Sequence, residues 1–141
     1  MFFNKQQVKS TKEKGKSKSG IQMKNDLQKR IFDFVVEVIL FLRTLPDTQE
    51  YKIIKYQLIK AVSSTGANYE EAQAASSKAD FIYKTEISLK EMRESNYWLR
   101  LIKVISNNLE LDKEKLNNLV NESAELKLIL GSIVSKSKRN K

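Results

Sequence analysis

Apolar side chains recur along this chain in alternating steps of three and four, the spacing that aligns one face of an α-helix. The first stripe is Leu27, Ile31, Phe34, Val38, Phe41 and Leu45, and Phe32, Val35, Val36, Ile39 and Leu42 widen it past a single seam. A helix this apolar is either central or touches a second subunit. The second stripe opens with Tyr51 and Ile54 and continues through Leu58, Ala61, Thr65, Asn68 and Ala72. The third is Phe81, Thr85, Ser88, Met92, Ser95, Leu99 and Ile102, and the fourth is Leu116, Leu119, Ser123, Leu126, Leu130 and Ile133. Stripes two and three are rich in Ala, Ser and Thr, side chains that let two helix backbones approach toward the short end of the ~8–10 Å interaxial range. They predict a tight, partly polar helical hairpin, organised around residues 57–101.

The punctuation between stripes is sharp. Asn25 and Asp26, with Gln28 following, offer caps for a first helix that ends near Leu45, since Pro46 disfavours helical angles in the residue before it. Asp47 with Glu50 marks a restart and a second helix over about 48–75. Ser77 with Asp80 caps a third helix over about 78–106, and Asp112 caps the fourth, whose end is expected to fray from Gly131. Gly66 inside the second helix implies close packing, because it costs about 1 kcal/mol relative to Ala. No strand pattern stands out. The expected fold is all-α: an antiparallel up-down-up-down four-helix bundle over residues 23–134, with disordered basic tails at 1–22 and 135–141.

Charge matters only once it is placed. Of a formal +9, residues 1–20 contribute six lysines against one glutamate, and residues 136–141 contribute four bases, so the remainder is neutral. Such lysine-rich, serine- and glycine-bearing tails attract polyanions through counterion release without selecting among them. The chain has no cysteine and no histidine. That excludes disulfides, thiolate nucleophiles and His- or Cys-ligated metal. The longest apolar run, 34–42 interrupted by Glu37, is about half of the ~20 residues a membrane span needs. Phe2 and Phe3 alone do not make a secretory signal. A cytoplasmic protein without membrane insertion is expected.

One stretch is more specific than periodicity. Gly66-Ala67-Asn68-Tyr69-Glu70-Glu71-Ala72, then Ala74-Ala75-Ser76-Ser77-Lys78-Ala79-Asp80-Phe81, is followed by Lys90-Glu91-Met92-Arg93-Glu94-Ser95 and Tyr97-Trp98-Leu99. With Arg43-x-Leu45-Pro46 and Gln57-Leu58-x-x-Ala61, these segments resemble the four-helix bundle family encoded in intervening sequences of bacterial large-subunit rRNA genes, once described as a ribosomal protein. The resemblance covers roughly residues 27–130. That family is similar in fold to the accessory protein of diversity-generating retroelements, a basic pentameric barrel that partners a reverse transcriptase and nucleic acid. The resemblance therefore implies a homo-oligomer, with a pentamer as its model, and a partner among RNA, DNA or a reverse transcriptase. The bundle here is neutral rather than basic.

Catalysis is not expected. A di-iron site in a bundle needs Glu-x-x-His motifs, which this chain cannot supply. Glu70, Glu71, Glu86, Glu91 and Glu94 could form an all-oxygen cation site, but the plainer reading is solvated faces and pairs such as Glu86–Lys90 and Lys90–Glu94. No cofactor is implied. Asn68 is the most notable seam residue: either a ligand contact, or a buried amide bonding across to Ser88, Thr85 or Arg93 in a network with Glu71 and Arg93. Lys52, Lys55 and Lys60 on the second helix, and Lys84, Arg100 and Lys103 on the third, are the candidate nucleic-acid-binding bases. Tyr69, Tyr97 and Trp98, with Tyr83, read as interface aromatics ahead of a base-stacking platform. Two functions follow: a non-catalytic oligomeric adaptor for nucleic acid or an enzyme acting on it, or a protein-interaction module whose tails touch polyanions non-specifically.

Overall fold

The computed structural model describes residues 20–140, with side chains from residue 26 onward. Four helices fill it: α1 (Gly20–Leu42), α2 (Gln49–Gln73), α3 (Lys78–Ile105) and α4 (Lys113–Arg139). Each packs on its neighbour in sequence, α1 also packs on α4, and the diagonal pairs do not meet among the described residues. Short connections and cross-helix bonds fix the antiparallel order. Ser88 Oγ donates to the Thr65 carbonyl at 2.8 Å, and Asn96 Nδ2 donates to Ser123 Oγ at 2.9 Å. The core is one cluster drawn from all four stripes, with Val38, Leu58, Val62, Met92, Leu99, Ile102, Leu126 and Leu130 all essentially inaccessible to solvent. Each such aliphatic side chain contributes about 1.5–3 kcal/mol by burial. Among the described residues no helix is long and apolar enough to cross a membrane.

The ends follow the local chemistry, with three corrections. α1 starts at Gly20, so Asn25 and Asp26 lie inside it rather than at its first turn; residues 21–24 are compatible with propagating a helix once it has nucleated. Residues before Gly20, including most of the expected tail 1–22, lie outside the described residues. At the other end α1 tightens into i→i−3 bonds from Arg43, Thr44 and Leu45 before Pro46, and Lys55 Nζ donates to the Leu45 carbonyl at 3.0 Å. The cap of α2 is Thr48, without a side-chain cap bond, and Asp47 is held by Lys55 at 2.9 Å instead of serving the helix end. Ser77 and Asp112 do cap α3 and α4, accepting from the Asp80 and Lys115 amides. Finally, α4 runs unbroken past Gly131 to Arg139, so residues 135–139 extend the last helix rather than start a tail.

The hairpin of α2 and α3 has the expected small-residue seam. Ala61, Thr65 and Ala72 face Thr85, Ser88 and Ser95, all buried. The hydroxyls of Thr65, Thr85 and Ser95 donate to the carbonyl one turn back, which satisfies them without a partner helix. Gly66 serves a different contact. A Cβ there would stand 3.3 Å from Val35 Cγ2, so this glycine admits α1 against α2. On the remaining side, Arg30 of α1 grips Glu122 through two bonds of 2.7 and 2.8 Å and reaches Glu125 at 2.9 Å. These partners hold the guanidinium firmly in its charged form against the cost of burial. Buried Glu37 of α1 pairs with Lys115 of α4.

Candidate functional site

The bases named from sequence divide into engaged and free. Lys55 secures the α1–α2 connection, and Lys84 pairs with Glu71 across the hairpin at 2.6 Å, which raises the lysine's pKa. Arg100 Nε donates to Asn96 Oδ1 at 2.8 Å, and its guanidinium sits 6.0 Å from the Tyr97 ring centre. Lys52, Lys60 and Lys103 are exposed without ion pairs among the described residues, and Lys60 lies over Tyr56 at 5.7 Å. Half of the candidate bases therefore hold the bundle together, and half carry no ion pair among the described residues.

The expected seam network does not assemble. Asn68 Nδ2 donates to the carbonyl and hydroxyl of Ser64, one turn back on its own helix, at 2.9 and 3.1 Å. Glu71 is taken by Lys84, and Arg93 is exposed on the far side of α3. The buried polar cluster forms instead around Asn96, which is 4% exposed. Its amide nitrogen bonds to Ser123 Oγ on α4, its oxygen accepts from Arg100, and Ser123 in turn donates to the Val120 carbonyl. Asn96 thus couples α3 to α4, where a cross-helix amide was expected between α2 and α3. The i,i+4 pairs expected of Lys90 are also redirected: Glu86 pairs with Lys138 of α4, and Glu94 accepts from Trp98 Nε1.

The aromatics also separate. Tyr69 is not an interface residue: it is 2% exposed, and burial pushes its hydroxyl up to about 12. Tyr97 is half exposed and meets half-buried Trp98 edge to face, with centroids 5.0 Å apart. Several other large apolar side chains are left uncovered by the bundle. Ile53, Tyr56 and Ile59 point outward on α2, and Tyr83, Tyr97, Val104 and Ile105 on α3; Val104 is the most exposed at 73%.

Two shallow grooves lie between neighbouring helices among the described residues. One, of about 380 Å³ between α1 and α2, is lined by Gln28, Lys29, Phe32 and Glu70. The other, of about 500 Å³ between α3 and α4, is lined by Arg93, Lys127, Leu128, Gly131, Ser132 and Ser135. Among the described residues no three carboxylates gather closely enough to hold a metal ion, and the glutamates weighed for that role include Glu71 and Glu86, both paired with lysines.

The architecture, the small-residue hairpin and the helix-spanning segments from Gly66 to Leu99 can be set beside known proteins. A crystal structure of a protein of unknown function from the S23 ribosomal protein family of Bacteroides thetaiotaomicron is similar over 79% of this chain and 97% of that one, at 31% identity and a TM-score of 0.67. No curated protein matches the sequence. The family model described as 23S rRNA-intervening sequence protein matches residues 23–132, which include nearly all of the bundle. With most of its length covered by that match, the chain belongs to the 23S rRNA-intervening sequence protein family.

Proposed function

We propose that this protein is a non-catalytic, self-associating bundle that acts in the cytoplasm as an adaptor for nucleic acid or for an enzyme working on it, such as a reverse transcriptase. The observation that carries this reading is the uncovered outer surface of α2 and α3. There Ile53, Tyr56, Ile59, Tyr97 and Val104 are interleaved with the free bases Lys52, Lys60 and Lys103. Apolar area of this kind supports association with copies of the chain or with a partner protein, and a ring of five is the assembly the family resemblance implies. α1 begins and α4 ends at the same end of the bundle, the sequence before α1 is lysine-rich and the end of α4 is basic, which supports contact with a polyanion. The absence of histidine and cysteine from the sequence leaves few groups suited to acid–base or nucleophilic work near neutral pH.

Light scattering of the full chain, together with titration against single-stranded RNA and DNA, tests both halves. The reading expects a defined oligomer that Ile53→Asp with Tyr97→Asp reduces to monomer. It also expects nucleic-acid affinity that survives replacement of the six lysines of residues 1–20 by glutamine. A monomer at all concentrations, with affinity that disappears with those lysines, refutes it. An oligomer without such affinity favours the second reading, a protein-interaction scaffold, for which the same apolar surface speaks.

A further inference from the structure

The groove between α3 and α4 departs from the rest of the surface. In a bundle whose bases and acids cancel, its lining holds two bases, two hydroxyls and no carboxylate. Arg93 comes from α3 and Lys127 from α4, and neither has an ion-pair partner among the described residues. Most other bases that face a neighbouring helix are already paired, as Arg30, Lys84, Lys115 and Lys138 are. Gly131 lines the same groove, one turn beyond Lys127 on α4. A Cβ there would meet nothing within 4 Å, so no packing contact demands a glycine, although the residue weakens the helix interior. The absent side chain leaves that part of the lining open.

We propose that this groove binds the phosphodiester backbone of a single-stranded nucleic acid, with Arg93 and Lys127 clamping phosphates from opposite walls and Ser132 and Ser135 donating to their oxygens. The proposal rests on the nucleic-acid reading above and gives it a place on the bundle. The guanidinium of Arg93 suits a phosphate because its fork donates two parallel bonds, while Lys127 supplies a compact charge. The lining of α4 from residue 127 to residue 135 extends about 12 Å at 1.5 Å rise per residue, room for several successive phosphates. The two bases stand on adjacent helices whose axes lie roughly 8–10 Å apart, a span that one phosphodiester strand bridges and the wider duplex does not enter. Leu128, 71% exposed on the rim, offers an apolar face against which an unstacked base can lie. Beyond the groove, α4 continues into Lys136 and Arg139, so a strand leaving it stays in positive potential.

The test is anisotropy titration of a labelled single strand of about 16 nucleotides with the full chain, between about 50 and 200 mM salt. Arg93→Gln with Lys127→Gln is compared with Arg43→Gln plus Lys113→Gln, exposed bases beside the α1–α2 and α3–α4 connections, outside the groove lining, that change the net charge equally. Removing two phosphate contacts lowers the slope of log affinity against log salt by about 1.4 on a single strand. The groove pair is expected to show that drop and the other pair a much smaller one. Gly131→Glu, which puts a carboxylate in the lining, is expected to weaken binding at least tenfold with helix content unchanged. Equal effects from the two pairs, or tight binding by the Gly131→Glu protein, overturn the groove while leaving nucleic-acid binding itself intact. A wild-type chain that binds no strand even at the lowest salt overturns the nucleic-acid reading and the groove with it.

Discussion

The two helical glycines have opposite surroundings, and alanine at each distinguishes them. Replacing Gly by Ala inside a helix gains about 0.8–1 kcal/mol from propensity alone. At Gly131 nothing stands within 4 Å of the new methyl, so the full gain is expected, a rise of roughly 2–5 °C in Tm for a chain of this size. At Gly66 the methyl arrives 3.3 Å from Val35 Cγ2, closer than comfortable contact, so α1 must shift or Val35 must turn. Overpacking of this kind costs about 1–3 kcal/mol, which cancels or exceeds the propensity gain. Gly66→Ala is therefore expected to be neutral to about 2 kcal/mol destabilising, at least 1 kcal/mol below its counterpart. Urea unfolding followed by circular dichroism measures both on one scale. Adding Val35→Ala to Gly66→Ala should recover part of the loss as a coupling between the two sites. If Gly66→Ala stabilises as much as Gly131→Ala, the close approach of α1 to α2 is not what Gly66 provides.

Three further outcomes are expected. Asn96→Ala removes the bonds to Ser123 and from Arg100 within a buried site and should cost about 1–3 kcal/mol, whereas Asn68→Ala, which loses only a bond within its own turn, should cost under about 1 kcal/mol in the same urea assay. Lys115→Met strands buried Glu37 and should destabilise by about 3–5 kcal/mol, while adding Glu37→Met should recover most of the loss; failure of that rescue in thermal melts would mean the charges are not a pair. Because the Tyr69 hydroxyl is pushed up to about 12 in the folded state, the unfolded chain ionises first. Stability should therefore be full below pH ~10 and fall by about 2–3 kcal/mol as pH rises toward 12, a decline that Tyr69→Phe removes from the pH dependence of the unfolding midpoint.

The stripes of α3 were legible almost residue by residue, because Phe81 and Leu99 lie 18 residues apart, five full turns. The stripes of α2 and α4 slipped in their second halves for a physical reason. Steps of three and four average 3.5 residues, and a straight helix of 3.6 drifts about 20° per heptad from that pattern. After two heptads the buried face has passed to the next residue. Tyr69, 18 residues after Tyr51, is buried in place of Asn68, and Val134, 18 after Leu116, is buried in place of Ile133. The same slip made Tyr69 look like an interface aromatic and Asn68 a seam amide. Asn96 was invisible because it lies just off the stripe of α3, facing α4, and only the position of α4 reveals that it is buried. Arg93 and Lys127 are 34 positions apart, and no local pattern joins them; the antiparallel packing of α3 on α4 does. Caps were readable where Ser77 and Asp112 had no competitor, and misread at Asp47, where a lysine eight residues on outbids the helix end.

The closure of α1 on α4 also sets an order of events during synthesis. All other helix contacts join neighbours in sequence, which a growing chain can make as soon as both members exist. The salt links from Arg30 and Glu37 wait for residues 115–125, so the first helix made finds its second partner only when the last helix emerges. The hairpin of α2 and α3, built from local contacts, is the natural nucleus, since loop closure over long separations is the slow part of folding. Until α4 arrives, the α1 face carrying Phe34, Val38 and Phe41 is only half covered. The nascent chain is most exposed to aggregation over that interval.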